Sequence, residues 1–277
     1  MAEIKIAGIM RAGAYSPNHI GNDAAIFNLV ADQLRKRGCE VNVYSEEQFI
    51  AGAVDEHIIV NMCREPRSIS ELQRREDAGD LVLNSGYGIE NCVRERMCRI
   101  LMGSNLSYPQ TLVVNTNEGV RDRLGAAGIE RCWIKRADEH TRHKEDVSYV
   151  RHAEEAQEVL QEYFLRGISR AVINRHLDGE LVKFYGVLGT DFFHCFAPNA
   201  SENSRSGFDA GSLRSMCESA ADVLGVVVYG GDCVVEADGT LSIIDFDDWP
   251  SFAPCRAEAA PYIAREILRR IKKFQKK

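Results

Sequence analysis

The sequence predicts a small open α/β sheet followed by a larger α+β region, and two patterns carry this prediction. Across residues 1–85, apolar strands alternate with amphipathic helices, which is typical of parallel strands joined by helical crossovers. Beyond residue 90, Asp-Gly pairs at 178–179 and 238–239 separate β-rich runs, which is typical of antiparallel hairpins. We therefore place a domain boundary near residue 85, and residues 86–277 form the second domain.

The N-terminal elements follow one another in a regular order. Apolar runs predict strands at residues 4–10, 40–44, 57–62 and 81–83. One helix is predicted from about residue 23 to Gly38 and a second from Ser68 to Gly79, because glycine commonly terminates a helix. These elements form the predicted parallel sheet.

The C-terminal elements are longer and more varied. Strands are predicted at residues 110–115 and 131–135, and helices at 117–127, 153–165, 210–224 and from 256 to the end. The Asp-Gly turns predict hairpins that join 172–177 to 180–188 and 226–237 to 240–247. Residues 136–148 are too charged to bury, so they are predicted to form a surface loop.

The composition narrows the class of protein. Of the 277 residues, 45% are hydrophobic and 27% are charged, which is typical of a globular protein. A net charge of −7 argues against a surface that binds nucleic acid or anionic membrane. No apolar run approaches the ~20 residues of a membrane helix, and no secretory signal is visible, so we expect a cytoplasmic protein.

Nine scattered cysteines without a C-x-x-C pair are expected to be reduced thiols.

Three aspartates converge in the second predicted hairpin. A two-residue turn at Asp238-Gly239 places Asp232 opposite Asp245, and Asp247 shares the face of Asp245 because side chains alternate along a strand. Like charges opposed across a hairpin destabilise it, so a cation is expected to compensate them. Oxygen ligands without histidine or cysteine suit Mg²⁺. The alternative is that these aspartates turn to solvent or pair with an arginine.

The neighbours of these aspartates refine the prediction. Gly230 and Gly231 leave room for a ligand to approach the backbone. Asp248 points to the opposite face in strict alternation and is therefore left out of the predicted metal site.

Two lysines are placed to meet phosphates. Lys135 ends an apolar strand, and Lys183 lies among apolar residues of the first predicted hairpin. A lysine in a buried strand usually meets an anion there; the alternative is that its stem crosses apolar surface to reach solvent. The sequence contains neither a Walker-type phosphate loop nor a Rossmann glycine motif.

Taken in order, these residues resemble the ATP-grasp superfamily. The resemblance rests on Arg94 at a helix start, Lys135, the charged loop after it, Lys183, and the G-x-D and D-x-D motifs at 230–232 and 245–247. It extends over residues 84–264 and implies a two-subdomain ATP-grasp fold behind the N-terminal sheet. The lid-bearing subdomain would span about 105–175 and the metal-binding subdomain about 176–277.

The resemblance also implies roles for individual residues. Residues 136–148 would form a mobile lid, and the phosphates of ATP would contact Arg94, Lys135 and Lys183. The hinge strand beside adenine would comprise Asn174, Arg175, His176 and Leu177. One or two Mg²⁺ ions, or Mn²⁺ as a substitute, would be held by Asp232, Asp245 and Asp247.

Two departures from the family pattern matter. Asp245-x-Asp247 stands where most family ligases carry Glu-x-Asn, and a charged segment replaces the usual glycine-rich lid. His140 and the turn at 249–252 resemble the inositol trisphosphate kinase branch, in which the corresponding histidine lies near the phosphate acceptor. His140 is therefore a candidate catalytic residue, together with Lys183 and Arg94. Its alternative is an exposed loop position.

The acceptor substrate is expected where the N-terminal sheet meets the nucleotide domain, because ligands bind at the carboxyl ends of parallel strands. Candidate residues that follow strands there are Arg11, Asn18, Asp23 and Arg64. The turn at 84–88, with Ser85 and Tyr87, offers backbone N–H groups to an anion; a plain glycine turn is the alternative. The arginines indicate a small anionic substrate.

The resemblance favours a ligase, because the superfamily consists mostly of ligases in which a carboxylate takes the γ-phosphate and an amine displaces it. A kinase acting on a polyol or inositol phosphate is the alternative. A nucleotide-binding module without turnover is less favoured, since the set of cations and carboxylates is complete. We expect no nucleic-acid or membrane partner, interpret the basic C-terminal helix as a solvated helix end, and leave a homodimer open.

Overall fold

A computed structural model describes residues 4–17, 19–138, 144–198 and 208–276 of the protein. Within these residues the strands are β1 (Ile4–Met10), β2 (Cys39–Ser45), β3 (Ile58–Asn61), β4 (Leu81–Leu83), β5 (Thr111–Asn115), β6 (Cys132–Arg136), β7 (Val147–Val150), β8 (Arg170–Arg175), β9 (Gly179–Val187), β10 (Phe193–Phe196), β11 (Val228–Glu236) and β12 (Leu241–Asp248). The helices are α1 (Ile20–Arg35), α2 (Glu46–Ile50), α3 (Pro66–Asp77), α4 (Gly86–Asn91), α5 (Arg94–Met102), α6 (Arg121–Ala126), α7 (Ala153–Leu165), α8 (Ala210–Leu224) and α9 (Arg256–Phe274). The predicted fold class, an α/β sheet followed by α+β subdomains, is confirmed.

The first sheet is parallel and has the order β2-β1-β3-β4. Its core draws on both ends of the chain, because Ile6 and Val30 share one buried cluster with Ile263 and Ile267 of α9. The predicted C-terminal helix is present, and its apolar face packs on the N-terminal domain. The end of the chain therefore completes the core of its beginning.

The second sheet has the antiparallel order β5-β8-β6-β7. Helices α6 and α7 cover one face, where Leu124 and Leu160 share a cluster with Ile134 and Ile173. Strand β7 was not predicted, because its first two residues belong to the charged segment 136–148 that was predicted to be a surface loop, and only Val150 of the strand is buried. On the other face, Val172 packs in a cluster with Met97 of α5, while Lys135 and Asn174 line a cavity.

The third sheet has the antiparallel order β10-β9-β11-β12. Helices α5 and α8 cover one face, where Met97 and Cys217 share a cluster with Phe184 and Phe246. Alternation along the strands turns the neighbours of Phe184 and Phe246 to the opposite face.

The first predicted hairpin is wrong. β8 pairs with β5 and β6, whereas β9 pairs with β10 and β11, so Asp178 and Gly179 lie where the chain crosses from one sheet to another. An Asp-Gly pair permits a tight turn, but the apolar faces of the two strands are buried by different helical layers. This crossing brings the open faces of the two sheets to opposite walls of one cavity.

Candidate active site

The open face of the third sheet carries a row of charged side chains. The register places Lys183 of β9 beside Asp232 of β11, and Asp232 opposite Asp245 of β12. Lys183 Nζ lies 2.7 Å from Asp232 Oδ1. Burial alone would lower the pKa of Lys183, but the Asp232 carboxylate outweighs it and the net pKa is raised. We call Lys183, Asp232, Asp245 and Asp247 the carboxylate face.

The pairing of Asp232 with Asp245 arises from two irregularities that compensate each other. The hairpin loop has three residues instead of two, because Glu236 N donates to Thr240 O. A β-bulge beside Asp232 then shifts the register back by one residue. The prediction that the two aspartates are opposed is therefore confirmed, although the predicted turn is wrong.

The two glycines beside these aspartates serve the packing of the protein itself. A Cβ atom on Gly231 would lie 2.2 Å from the carbonyl oxygen of Asp245. A Cβ atom on Gly230 would lie 2.7 Å from Pro250 Cγ. The expectation that these glycines leave room for a ligand is therefore wrong, since the chain already fills that space.

A cavity of about 390 Å³ separates the carboxylate face from the second sheet. We call it the intersheet cavity; Lys135 and Asn174 line it from one side, and Asp232 and Asp245 from the other. The buried Lys135 Nζ donates to the carbonyl oxygen of Ile244 at 3.2 Å. Burial lowers the pKa of Lys135, and Asp245 offsets this only in part. A desolvated lysine on a cavity wall is suited to an anionic ligand.

The four predicted hinge residues all line this cavity: Asn174, Arg175, His176 and Leu177. Asn174 Nδ2 donates to Thr111 Oγ1 at 2.7 Å, whereas its buried Oδ1 has no hydrogen-bond partner among the described residues. Trp133 Nε1 donates to His176 Nδ1 at 3.0 Å, and Trp133 also lines the cavity. Aromatic surface, a buried acceptor and charged groups therefore share one cavity, and together they suit a nucleotide.

Arg94 at the start of α5 contacts the carboxylate face through Asp245. Arg94 Nη1 donates to the carbonyl oxygen of Arg136 at 2.9 Å, and Nη2 lies 3.7 Å from Asp245 Oδ2. Arg94 thus connects the start of the predicted lid to a predicted metal ligand. Its contact with phosphate stays a prediction.

A second cavity, of about 300 Å³, lies between α3 of the N-terminal domain and helices α4 and α5. We call it the interdomain cavity. Its charged and polar lining includes Arg64, Gln73, Glu90, Arg96 and Asp138. Of the residues predicted to bind the acceptor, Arg64 lines it, and Asp138 belongs to the predicted lid. The cavity therefore lies where the sequence predicts the acceptor, but Gln73, Glu90 and Arg96 were missed.

Arg64 links the interdomain cavity to the carboxylate face. Its Nη2 lies 3.3 Å from Asp247 Oδ1 and 3.5 Å from Asp248 Oδ1. Its buried Nε has no hydrogen-bond partner within the described part of the chain. Buried Glu46 fixes the loop, because its carboxylate accepts hydrogen bonds from the backbone N–H of Arg64 and from the loop after β1. No motif surrounds Glu46, so sequence reasoning missed this residue.

Arg11 and Asp23 are buried and pair with each other. Arg11 Nη1 donates to Asp23 Oδ2 at 3.0 Å, and its Nη2 donates to the carbonyl oxygen of Trp249 at 3.1 Å and lies 3.8 Å from Asp248 Oδ2. The Arg11 and Asp23 side chains are 3% and 7% exposed, so neither offers surface to a substrate in this conformation. Asp248 is buried with them, because the N-terminal domain covers the face to which alternation turns it.

The turn at 84–88 already holds a carboxylate of the protein. Glu76 Oε1 accepts from the backbone N–H of Gly86 at 2.6 Å, and Glu76 Oε2 accepts from Ser85 Oγ at 2.9 Å. Tyr87 Oη donates to Asp77 at 3.0 Å. The predicted substrate cradle is therefore wrong at this turn, since a side chain of α3 fills it.

Two predicted site residues, Asn18 and His140, lie outside the described residues. The same holds for residues 139–143 of the predicted lid. Their roles stay predictions.

A site of three carboxylates for a metal ion is not preformed. Within the described ranges, no group of three or more His, Cys, Asp or Glu side chains is placed to hold a metal ion. Each predicted ligand contacts a cation instead, in the pairs Asp232–Lys183, Asp245–Arg94 and Asp247–Arg64. The opposed Asp232 and Asp245 still fit Mg²⁺, which commonly takes one or two carboxylates together with substrate phosphates.

Solved structures share this architecture over nearly the whole chain. D-alanine–D-alanine ligase from Coxiella burnetii superposes with a TM-score of 0.73 at 13% identity, covering 99% of this chain and 97% of the other. The ligase of the same name from Bacillus anthracis gives 0.71 at 14% identity, covering 99% of both chains. The ATP-grasp ligase PsnB with its minimal precursor gives 0.65 at 16% identity, covering 96% of this chain and 99% of the other. The chain has the ATP-grasp fold.

Because these sequence identities are low, the similarity to ATP-grasp structures establishes the fold only. The roles of individual residues are argued from the geometry of the site. No family model matches the sequence, and no curated protein matches it. Among the described residues of this ATP-grasp chain, no helix is long and apolar enough to cross a membrane. The nine cysteines, all of them described, are free thiols, as expected.

Proposed function

We propose that this chain is an ATP- and Mg²⁺-dependent ligase that activates a small carboxylate as an acyl phosphate and joins it to an amine. The observation that carries the proposal is the intersheet cavity, in which Lys135 lies across from Asp232 and Asp245. A buried lysine and two carboxylates around one space suit a polyphosphate and its metal ion, and Lys183 pairs with one of these carboxylates, Asp232. The fold supports the same assignment, because solved ligases share it, one of them complexed with ATP.

The lysines bind the phosphates. Lys135 is already desolvated, and Lys183 exchanges its contact with Asp232 for a phosphate oxygen. Asp232 and Asp245, which are directly opposed, would hold Mg²⁺. When bound there, Mg²⁺ would supply Lewis-acid chemistry and neutralise charge on the phosphates. The base lies against the hinge residues, where Asn174 Oδ1 accepts a hydrogen bond.

The reaction has two steps. A carboxylate oxygen of the substrate attacks the γ-phosphorus, an O–P bond forms, and the bond to the β-phosphate oxygen breaks with release of ADP. The amine then attacks the carbonyl carbon, a C–N bond forms, and phosphate leaves with the proton that the amine loses. The protein contributes positioning and charge neutralisation. Arg64 borders the interdomain cavity and contacts Asp247, so we assign it to binding the carboxylate of the substrate.

The kinase alternative depends on His140 and the turn at 249–252. Trp249 and Phe252 of this turn are buried in the core and pack under the N-terminal domain. Their burial accounts for the aromatic turn without a substrate, so this turn does not favour the kinase.

The test separates the products. Purified full-length protein is incubated with ATP, Mg²⁺ and a pool of amino acids and polyol phosphates, and products are identified by mass spectrometry while ADP release is followed. We expect amide products to form in an amount equal to the ADP released. A polyol phosphate that gains the mass of one phosphate would identify a kinase instead. ATP binding without ADP release would identify a binding module.

A further inference from the structure

The interdomain cavity combines an apolar wall with charges of both signs. Ile69 and Val93 supply apolar surface. Its charged lining residues are Arg64, Glu90, Arg96 and Asp138, of which Arg96 pairs with Glu90 and Asp138 pairs with Arg136. Its volume of about 300 Å³ is at the lower end of small-molecule sites. A ligand that fits these walls is small, partly aliphatic and charged at two points of opposite sign.

Arg64 supplies the site for the negative end of such a ligand. Its Nη2 contacts Asp247 and Asp248, whereas its buried Nε has no partner among the described residues. Buried N–H groups in folded proteins almost always have an acceptor, so this one lacks a group that a ligand carboxylate would supply. A carboxylate bound here lies beside the carboxylate face, where the γ-phosphate is expected.

Glu90 supplies the site for the positive end. Its Oε2 accepts a hydrogen bond from Gln73 Nε2 at 2.9 Å and pairs with Arg96. Both contacts use the same oxygen, so Gln73 and Arg96 orient the carboxylate and Oε1 faces no protein donor within the described residues. The Glu90 side chain is 39% exposed, which leaves it accessible to a ligand ammonium group.

We propose that the interdomain cavity binds the carboxylate substrate as a single aliphatic amino acid. Its carboxylate lies at Arg64, its ammonium group at Glu90, and its side chain against Ile69 and Val93. The inference rests on the proposed function for the fate of that carboxylate, which is phosphorylation. The two charges define the ligand but not the position of its amino group. This group can lie on the α-carbon or at the far end of the ligand's carbon chain, and the test distinguishes these two kinds of amino acid.

The test measures binding without turnover. Full-length protein saturated with ADP and Mg²⁺ is titrated by calorimetry with both enantiomers of valine and with 5-aminovalerate. Isovalerate and valerate are the matched ligands that lack the amino group. We expect at least one amino acid to bind about tenfold more tightly than its matched acid, since one charge-assisted hydrogen bond is at stake. Valine and 5-aminovalerate separate the two positions of the amino group.

Variants assign the two ends of the ligand. Glu90→Gln is expected to abolish the preference for the amino acid over its matched acid, and Arg64→Lys to weaken both. Glu71→Gln is the control, because Glu71 lies on the same helix as Ile69 and pairs with Arg74 outside the cavity lining. An unchanged affinity for ADP shows that each variant is folded.

The result that overturns the inference differs from the one that overturns the proposed function. If no amino acid binds to protein that binds ADP, or if Glu90→Gln keeps the full preference, the assignment of this cavity is wrong. If an amino acid binds as expected but ADP is never released from ATP, the ligase is wrong and the binding site stands.

Discussion

Two buried cations in this chain differ in how many protein groups meet them. Arg11, where the N-terminal sheet meets β12, hydrogen-bonds to Asp23 and to the carbonyl oxygens of Met62, Asp248 and Trp249. Lys135 in the intersheet cavity is also buried, but it donates to a single carbonyl oxygen. Burial of a charge alone therefore does not identify a site. A candidate ligand site is indicated where a buried charged group has few hydrogen-bond or ion-pair partners within the protein.

The largest effect is expected for Lys135→Met. We expect turnover of ATP to fall at least about a hundredfold, because a preorganised cation at the proposed phosphate site is lost. The melting temperature of the ligand-free protein should not fall, because methionine replaces a desolvated ammonium group with apolar surface. ADP release and thermal unfolding measure the two effects. If Lys135→Met kept full activity or clearly lost stability, Lys135 would not differ from Arg11 in the way proposed, as a site residue rather than a structural one.

Asp245→Asn tests the other wall of the same cavity. We expect a loss of turnover of about a hundredfold or more with the fold intact, because the opposed pair with Asp232 loses one of its two proposed Mg²⁺ ligands. The matched control is Asp238→Asn in the exposed loop of the same hairpin, which should keep full activity. ADP release over a range of Mg²⁺ concentrations is the measurement. Wild-type turnover in Asp245→Asn would rule out its role at the metal ion.

Arg11→Met should give the opposite result to Lys135→Met. Asp23 and Asp248 would remain buried without this cation, which costs about 3–5 kcal/mol in the free energy of unfolding. Urea denaturation measures the change, and the exposed Arg37→Met is the control. Activity per folded molecule should persist. A variant that is fully stable but inactive would place Arg11 in the substrate site instead.

The carboxylate face could be predicted from the sequence because its geometry is local. Alternation along β12 and a short connection to β11 are enough to oppose Asp232 and Asp245. Even so, the predicted pairing depended on a three-residue loop and a bulge that cancel. The prediction of a hairpin at Asp178-Gly179 was wrong because strand pairing is not a local property. Turn propensity is local, whereas the choice of partner strand depends on which helical layer buries each face.

The residues that the sequence could not reveal are those whose partners come from distant elements. Asp248 is buried because the N-terminal domain covers its face, and Glu46 matters because two loops supply it with backbone donors. Glu76 fills the turn after β4 from a different helix. None of these contacts has a periodicity or a spacing in the sequence, so only the fold shows them.

The smallest effect is expected for Tyr87→Phe. Tyr87 is 45% exposed, and its hydroxyl group donates to Asp77 on the surface of α3, so its polar group already has a protein partner. We expect no measurable change in melting temperature or in amide formation, because surface substitutions of this kind are close to neutral. Thermal unfolding and product analysis check both. If amide formation fell while the melting temperature stayed the same, a side chain with a protein partner would nevertheless serve the substrate. The number of protein partners would then no longer distinguish structural residues from site residues.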